Sequence, residues 1–588
     1  MKKSWHRVAA AALAATLIAS QGISAAAEPA NQATGAENGN ATVDIRQEAR
    51  YDAGMSNADG GVMEIVDYNT VTGWAYAVNG QTGNLTAIPI KDMESKENVD
   101  LLDGNDIDVK SVIEEKCEGF TYGDMTSVSI SGDGKLLAAA IQAEGYTDNG
   151  RVAVFTCNAD GTLTFQAAYE TGVQPDMVTF TPDGSRILTA NEGEPREGYG
   201  EGIADPAGTV TVIALTGDGE GYNPANGTVA TIGFEAYDST EARQALADAG
   251  IVLQKGVNPS VDFEPEYIAA GNDTAYVTLQ EANAIAVIDL KTSAVAGVYS
   301  AGYEDYSKAA VDINKKDEAY NPKTYEGLMG IRMPDSIALY TAEDGTDYLV
   351  TANEGDAREW GEEGSESFYL NEDERNFKDG ETSPSGKITA ENSGLTGKVV
   401  FFNSEDYDGL QDGVDYLYGG RSFSVFRADE NGLTEVYDSG SEIEAKTAEY
   451  VPEHFNCSND DKTIDDRSGK KGPEVESVTV GTVGERIYAF VGLERVGGVM
   501  VYDITDPENT VFANYINSRD YSEDIAGDNS PEGLCFIPAA DSEDGEAYLL
   551  AACEVSGTVA AYQLTDNPAV TPGGDETPGE DVTPGGDE

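Results

Sequence analysis

The chain has 588 residues and a formal charge of −70, with 106 acidic residues against 36 basic ones. A field of that sign repels nucleic acid and anionic membrane surfaces, and suits divalent cations, cationic partners or plain solubility in salt. Five scattered cysteines form no disulfide framework, there is no CxxC, and beyond residue 27 the sole histidine is His454, so zinc and haem sites have no support. A Ser-His-Asp triad would have to use His454, and no GxSxG elbow accompanies it.

Residues 1–27 read as a secretory signal peptide, with a basic start, a short apolar run and small residues at Ala25 and Ala27. The apolar run is too short to span a membrane easily, and no other stretch approaches that length. An exported protein, extracellular or held at the cell surface, is expected. Residues 28–50 are polar and lack periodicity, so a flexible leader is expected there, its end able to supply a closing strand.

From residue 51 to 564 one pattern recurs. Residues 175–194, PDMVTFTPDGSRILTANEGE, read as two strands joined by a Pro-Asp-Gly turn, and GTVTVIAL at 208–215 adds a third. Pro265-Glu266, Pro334-Asp335, Pro473-Glu474 and Pro531-Glu532 open similar stretches, and looser copies start near Glu64 and Asp124. A unit of three or four strands repeated about seven times predicts an all-β fold, a seven-bladed β-propeller of YVTN/WD40-like type. Between units, Ser239 caps a predicted helix over 239–249 that decorates one face. Residues 302–335 read as a long polar loop, and 360–418 as the largest insertion, expected to pack as a lid. Cys535 and Cys553 fall on neighbouring strands and could pair, but free buried thiols are expected. Residues 565–588 form a Pro/Gly/acidic tail that cannot bury a core and reads as a spacer.

The acid after each Pro (Asp176, Glu266, Asp335, Glu474, Glu532) should ring one face of the central channel, with Glu192, Glu281, Glu354, Glu494 and Glu554 at the second-strand ends. Such acids repel one another unless a cation or an arginine compensates. Two readings stand side by side. Each Glu accepts backbone N–H bonds from the next blade, or the ring holds Ca²⁺, which takes six to eight hard oxygens. ANEGEPRE and ANEGDARE stand out. They offer Glu192, Glu194, Glu354 and Asp356 as metal ligands beside Asp176 and Asp335, and Asn191, Asn353, Arg196 and Arg358 as anion-binding groups.

GVMEIVDY, PDMVTFTPDGSRILTANEGEPRE, TANEGDARE, GGRSFSVF, DDRSGKKGPEVESV, GLERVGGVMVYDITDP and SPEGLCFIPAADS resemble the choice-of-anchor I domain family over about residues 51–564. The resemblance implies a secreted, surface-attached seven-bladed propeller of no assigned activity. Gly469 stands where that family's pattern tends to have Asp. A fainter similarity to phytase-like propellers rests on the NEG motifs. The expected role is therefore a monomeric binding or scaffold module for a surface or extracellular ligand. The alternative is a calcium-dependent phosphoesterase, with the carboxylates on Ca²⁺ and Arg196 and Arg358 on the phosphate.

Overall fold

The computed structural model describes residues 41–568 except 95–97, 218–220, 316 and 343. The expected signal peptide, the start of the leader and nearly all of the tail lie outside the described residues.

The fold is all-β and of propeller type. Among the described residues seven sheets of four or five strands follow one another along the chain, all antiparallel except for one parallel edge strand in the last. Their first strands are Val66–Asn69, Tyr122–Ile130, Pro175–Phe180, Pro265–Ala270, Ile337–Thr341, Val475–Val483 and Pro531–Ile537. These define sheets 1 to 7 below. Neighbouring first strands touch, and the first strand of sheet 7 touches that of sheet 1. Second strands such as Leu136–Ala143 and Ala547–Cys553 are buried along their whole length. They are apolar on both faces because each sheet is covered on both faces.

The core is divided accordingly. Leu188, Val210 and Val212 of sheet 3 pack on Ile268, Val277 and Ile288 of sheet 4. Val350 and Phe423 of sheet 5 pack on Val478, Val491 and Tyr502 of sheet 6. Ala75 and Ala77 of sheet 1 pack on Leu550 and Ala561 of sheet 7. Each remaining pair of successive sheets has its own apolar cluster. The Pro-Asp-Gly turn forms as its chemistry requires. Gly184 has φ +70°, and Asp183 accepts from the Ser185 amide and the Thr181 hydroxyl.

The strand Val43–Asp52 begins inside the stretch expected as leader. It pairs antiparallel with Thr558–Asp566 as the fourth strand of sheet 7, and Asp100–Leu102 pairs parallel to it at the edge. Val43, Ile45 and Ala49 are buried in the clusters on its two faces, which explains why this polar-looking segment is held. The helix expected at 239–249 forms as Thr240–Asp248, with the Ser239 hydroxyl accepting from the Ala242 amide. It is one of several. Val109–Lys116 and Glu442–Tyr450 are also helical. The segment read as a polar loop carries the strands Tyr303–Asp305 and Leu328–Ile331. With the insertion in sheet 5 it builds a satellite core around Tyr306, Ile313, Tyr325, Phe377 and Phe401. All five cysteines are free. His454 stacks on Tyr521 with ring centroids 3.9 Å apart. Among the described residues no helix is long and apolar enough to cross a membrane.

Candidate functional site

The start of each first strand positions the acids. In sheets 3, 5, 6 and 7 a residue with φ near +50° to +67° precedes the strand: Gln174, Met333, Glu474 and Ser530. That left-handed residue turns the chain into the strand. In three of these sheets its carbonyl accepts from the amide at the second-strand end: Glu192 to Gln174 O, Glu494 to Glu474 O and Glu554 to Ser530 O, each 3.0 Å. Two residues later come Asp176, Asp335, Glu476 and Glu532. The structure thus corrects the expected ring in sheet 6. Glu474 sits at the left-handed position, and Glu476 takes the channel position. The Pro-Glu pair at 473–474 misaligns by two residues, and the shared x-acid-x-Val/Ile/Leu pattern (VESV beside PDMV and PDSI) is the signal that finds Glu476.

The ring converges. The charges of Asp335, Glu532, Asp176 and Glu476 all bear on the Tyr267 phenol of sheet 4, which burial already pushes well above its ordinary pKa. Single oxygens of Asp335, Glu354 and Glu476 lie within 4.8 Å of one another, as do those of Asp176, Glu192 and Glu266, and those of Glu354, Glu474 and Glu494. Glu476 is 3 % exposed, and its Oε2 has no hydrogen-bond partner. Burial pushes its carboxyl well above the usual range, and Glu354, Glu494, Asp335 and Glu532 push it further. Burial likewise pushes Glu494 up to about 8 and Glu281 up to about 7.

Cations meet this cluster from one side. Lys471, buried, pairs with Glu354, with Glu474 at 3.2 Å and with Asp356 at 3.5 Å. Arg495 pairs with Glu474 at 3.0 Å and Glu494 at 3.3 Å, and Arg467 also pairs with Glu474. Sequence reasoning missed Lys471, although it stands in the DDRSGKKGPE stretch. Gly469 in the same loop has no room for a side chain, because a Cβ there would lie 2.1 Å from the Lys398 carbonyl oxygen.

The candidate anion-binding groups each have partners within the fold. Arg358 is buried and committed to carboxylates and a carbonyl. It pairs with Asp262 at 3.1 Å and Glu264 at 3.3 Å, donates to Asp262 O at 2.8 Å, and lies over the Tyr407 ring. Arg196 pairs with Glu194 at 3.1 Å and Glu192 at 3.8 Å and donates to Gln142. Asn191 and Asn353 are fully buried sheet staples. Asn191 accepts from Thr189 and donates to Thr209 and Thr211, while Asn353 accepts from Thr351 and donates to Ser422 and Ser424. The TAN motif recurs because both sheets need the same link between second and third strands. Among the ring acids, Glu554 accepts from the Gly61 amide of the next sheet lead-in at 3.2 Å. Side chains also donate to ring acids, Gln280 to Glu354 at 2.8 Å and Asn459 to Glu494 at 3.1 Å.

Sheets packed face to face around converging first strands, with clustered acids where those strands begin, define an all-β protein of propeller type. The family model for the choice-of-anchor I domain matches residues 64–507, and the chain belongs to that family. It is similar to Gigasin-3a of Magallana gigas, 32 % identical over 197 residues, which cover 30 % of this chain and 68 % of that one. It is also similar to the mesenchyme-specific cell surface glycoprotein of Strongylocentrotus purpuratus, 28 % identical over 302 residues, 45 % of this chain. The match spans 36 % of the sea urchin protein's length. Among solved structures, RRP9 WD40 repeats overlap with a TM-score of 0.41 at 8 % identity, covering 89 % of this chain and all of that one. The Cps50 (Swd1) β-propeller domain, from Myceliophthora thermophila, overlaps at 0.38 and 9 %, covering 85 % and 96 %. Overlaps of this size carry no argument of their own, and the fold stands on its sheets.

Proposed function

We propose that the chain is a seven-bladed β-propeller working as an extracellular or cell-surface binding module, with Ca²⁺ held by carboxylates at its channel mouth. Support for the blade count comes from seven sheets joined by apolar clusters in cyclic order, with the strand Val43–Asp52 completing the last sheet. Support for the surface role comes from family membership and from the sea urchin relative's name. The observation that carries the calcium reading is Glu476. Its buried Oε2 lacks a partner while Asp335 and Glu354 stand within ligand distance. A buried carboxylate in that state calls for a proton or a cation, and an all-oxygen cluster suits a hard ion.

The binding reading is favoured over phosphoester hydrolysis by Arg358. Hydrolysis would need a guanidinium available to the phosphoryl oxygens, and Arg358 is spent on Asp262 and Glu264. Calorimetry with Ca²⁺ on the intact chain tests the proposal. Uptake that weakens in Glu476→Gln is expected, and no uptake at millimolar ion would remove calcium from it. Incubation with a panel of phosphate esters and Ca²⁺ tests the role. Turnover that disappears in Glu192→Gln or Glu354→Gln would make this an enzyme.

A further inference from the structure

A second acidic cluster lies away from the channel mouth. Asp312 and Asp317 come from the segment between sheets 4 and 5, and Asp465 from the segment before sheet 6. Single oxygens of the three lie within 4.8 Å of one another. The backbone aims them. Asp465 Oδ2 accepts from the Asp317 amide at 2.7 Å and the Glu318 amide at 3.3 Å, which leaves Oδ1 turned into the cluster. That Oδ1 belongs to a fully buried residue and has no hydrogen-bond partner. Asp317 repeats the arrangement. Its Oδ2 accepts from the Asn314 amide nitrogen Nδ2 at 2.8 Å, and its buried Oδ1 has no partner. Asp312 is fully buried and accepts from the amides of Asn314 and Asn321. Those bonds fix its carboxylate without using every lone pair.

Among the described residues the nearby cations are engaged elsewhere. Lys315 pairs with Asp466 at 3.2 Å, and Arg421 pairs with Glu444 and donates to the Asp312 carbonyl rather than its carboxylate. Three carboxylates packed this closely, with two buried oxygens unmatched, are costly unless a cation or water fills the space between them.

We infer that Asp312, Asp317 and Asp465 form a second Ca²⁺ site, separate from the channel mouth, that clamps the segment between sheets 4 and 5 to the loop preceding sheet 6. Oxygen-only ligands and a loop-built, irregular cage suit Ca²⁺ better than Mg²⁺ or a transition metal. The clamp has a consequence for the channel. Asp465 stands at one end of the loop that delivers Arg467 and Lys471 to Glu474 and Glu354, and Arg421 holds the middle of that loop by the Ser468 and Lys470 carbonyls, both at 2.7 Å.

Terbium reports on such a site, because Tyr325 feels the charges of Asp312 and Asp317, and Tyr320 that of Asp312. The test uses the full chain carrying Glu476→Gln, so that the channel mouth is disabled and the outcome does not depend on it. Tyrosine-excited Tb³⁺ emission displaced by Ca²⁺ is expected to persist in this protein. Its affinity should fall at least about tenfold on adding Asp317→Asn or Asp465→Asn, since even partners of metal ligands are worth that much. Asp317 is partly exposed, so its variant carries the test if Asp465→Asn fails to fold, as judged by circular dichroism. No Ca²⁺-displaceable emission in the Glu476→Gln chain, or unchanged affinity in a folded Asp317→Asn protein, overturns the site and points to water between the carboxylates.

Discussion

Glu474 and Glu476 stand two residues apart at the entry to sheet 6 and meet opposite fields. Burial would raise both. For Glu474, Arg467, Arg495 and Lys471 overcome it and hold the carboxyl well below the usual range. For Glu476, the surrounding Glu354, Glu494, Asp335 and Glu532 add to burial and hold it well above. One short strand entry therefore presents a fixed charge beside a site that wants a proton or a metal ion.

The pH dependence follows from the raised groups. Glu494, up to about 8, and Glu281, up to about 7, bind protons in the folded chain that the unfolded chain, near the ordinary 4.5, has released. The stability they contribute is complete below about 4.5 and is lost as pH rises through 7 to 8. Glu474 works the other way, but its window lies below 4.5. In chelator, the thermal midpoint should fall between pH 5 and 8.5, and Glu494→Gln should flatten the slope. Millimolar Ca²⁺ should restore the midpoint at the alkaline end. A midpoint that climbs across this range would contradict the assignment.

Lys471→Met removes the buried ammonium from between Glu354, Asp356 and Glu474. Breaking a buried ion pair from one side costs about 3–5 kcal/mol, because the partner charge stays behind. Urea unfolding should show a lower midpoint with an unchanged slope. A loss below about 1 kcal/mol, the range of exposed pairs, would mean that water reaches these carboxylates.

Much of the fold was legible in the sequence, because strand, Pro-Asp-Gly turn and strand each follow from local chemistry, and repetition carried the pattern along the chain. The site was less so. Asp176 and Asp335 fall where the Pro-acid pairs put them, but Pro473-Glu474 imitates the motif two residues early; the VESV pattern hints at the true register and the left-handed φ of Glu474 fixes it. Asn353 and Arg358 look like ligand groups in a motif. Their partners Ser422, Ser424, Asp262 and Glu264 lie far away in sequence, and no local pattern shows that their donors are used. The same distance hid Lys471, whose partner Glu354 is 117 residues away.

Asn353→Ala and Asn191→Ala should each destabilise by about 1–3 kcal/mol, since buried hydroxyls are left without partners. Both should leave Ca²⁺ uptake unchanged, because the Asn191 amide donates to Thr209 and Thr211 and the Asn353 amide to Ser422, Ser424 and Asp438, none of them a ring carboxylate. Denaturant midpoints beside calorimetric titration separate the two roles. Lost uptake in a stably folded variant would return these residues to the site.

The last prediction concerns the strand Val43–Asp52. Its pairing partner lies at the other end of the fold, Val43 opposite Asp566 and Asp52 opposite Thr558. Beyond the ladder, Arg50 and Gln47 both reach the buried carboxylate of Asp528 at 2.7 Å, and the Asn514 amide donates to the Val43 carbonyl at 2.8 Å. Removing residues 41–52 would expose the edge of Thr558–Asp566 and uncover apolar surface of sheets 6 and 7 at Val483, Val501 and Leu564. An uncovered apolar edge strand is also a site for pairing with another chain. A chain starting at residue 53 should melt at a lower temperature than the intact chain and associate through that edge. A peptide of residues 41–53 added in excess should recover part of the midpoint by occupying it. Asp528→Ala in the full chain should act in the same direction but less, because the ladder and the apolar contacts remain. Scanning calorimetry with light scattering reads all three proteins, and an unchanged midpoint in the truncated chain would show that the ring does not depend on this strand.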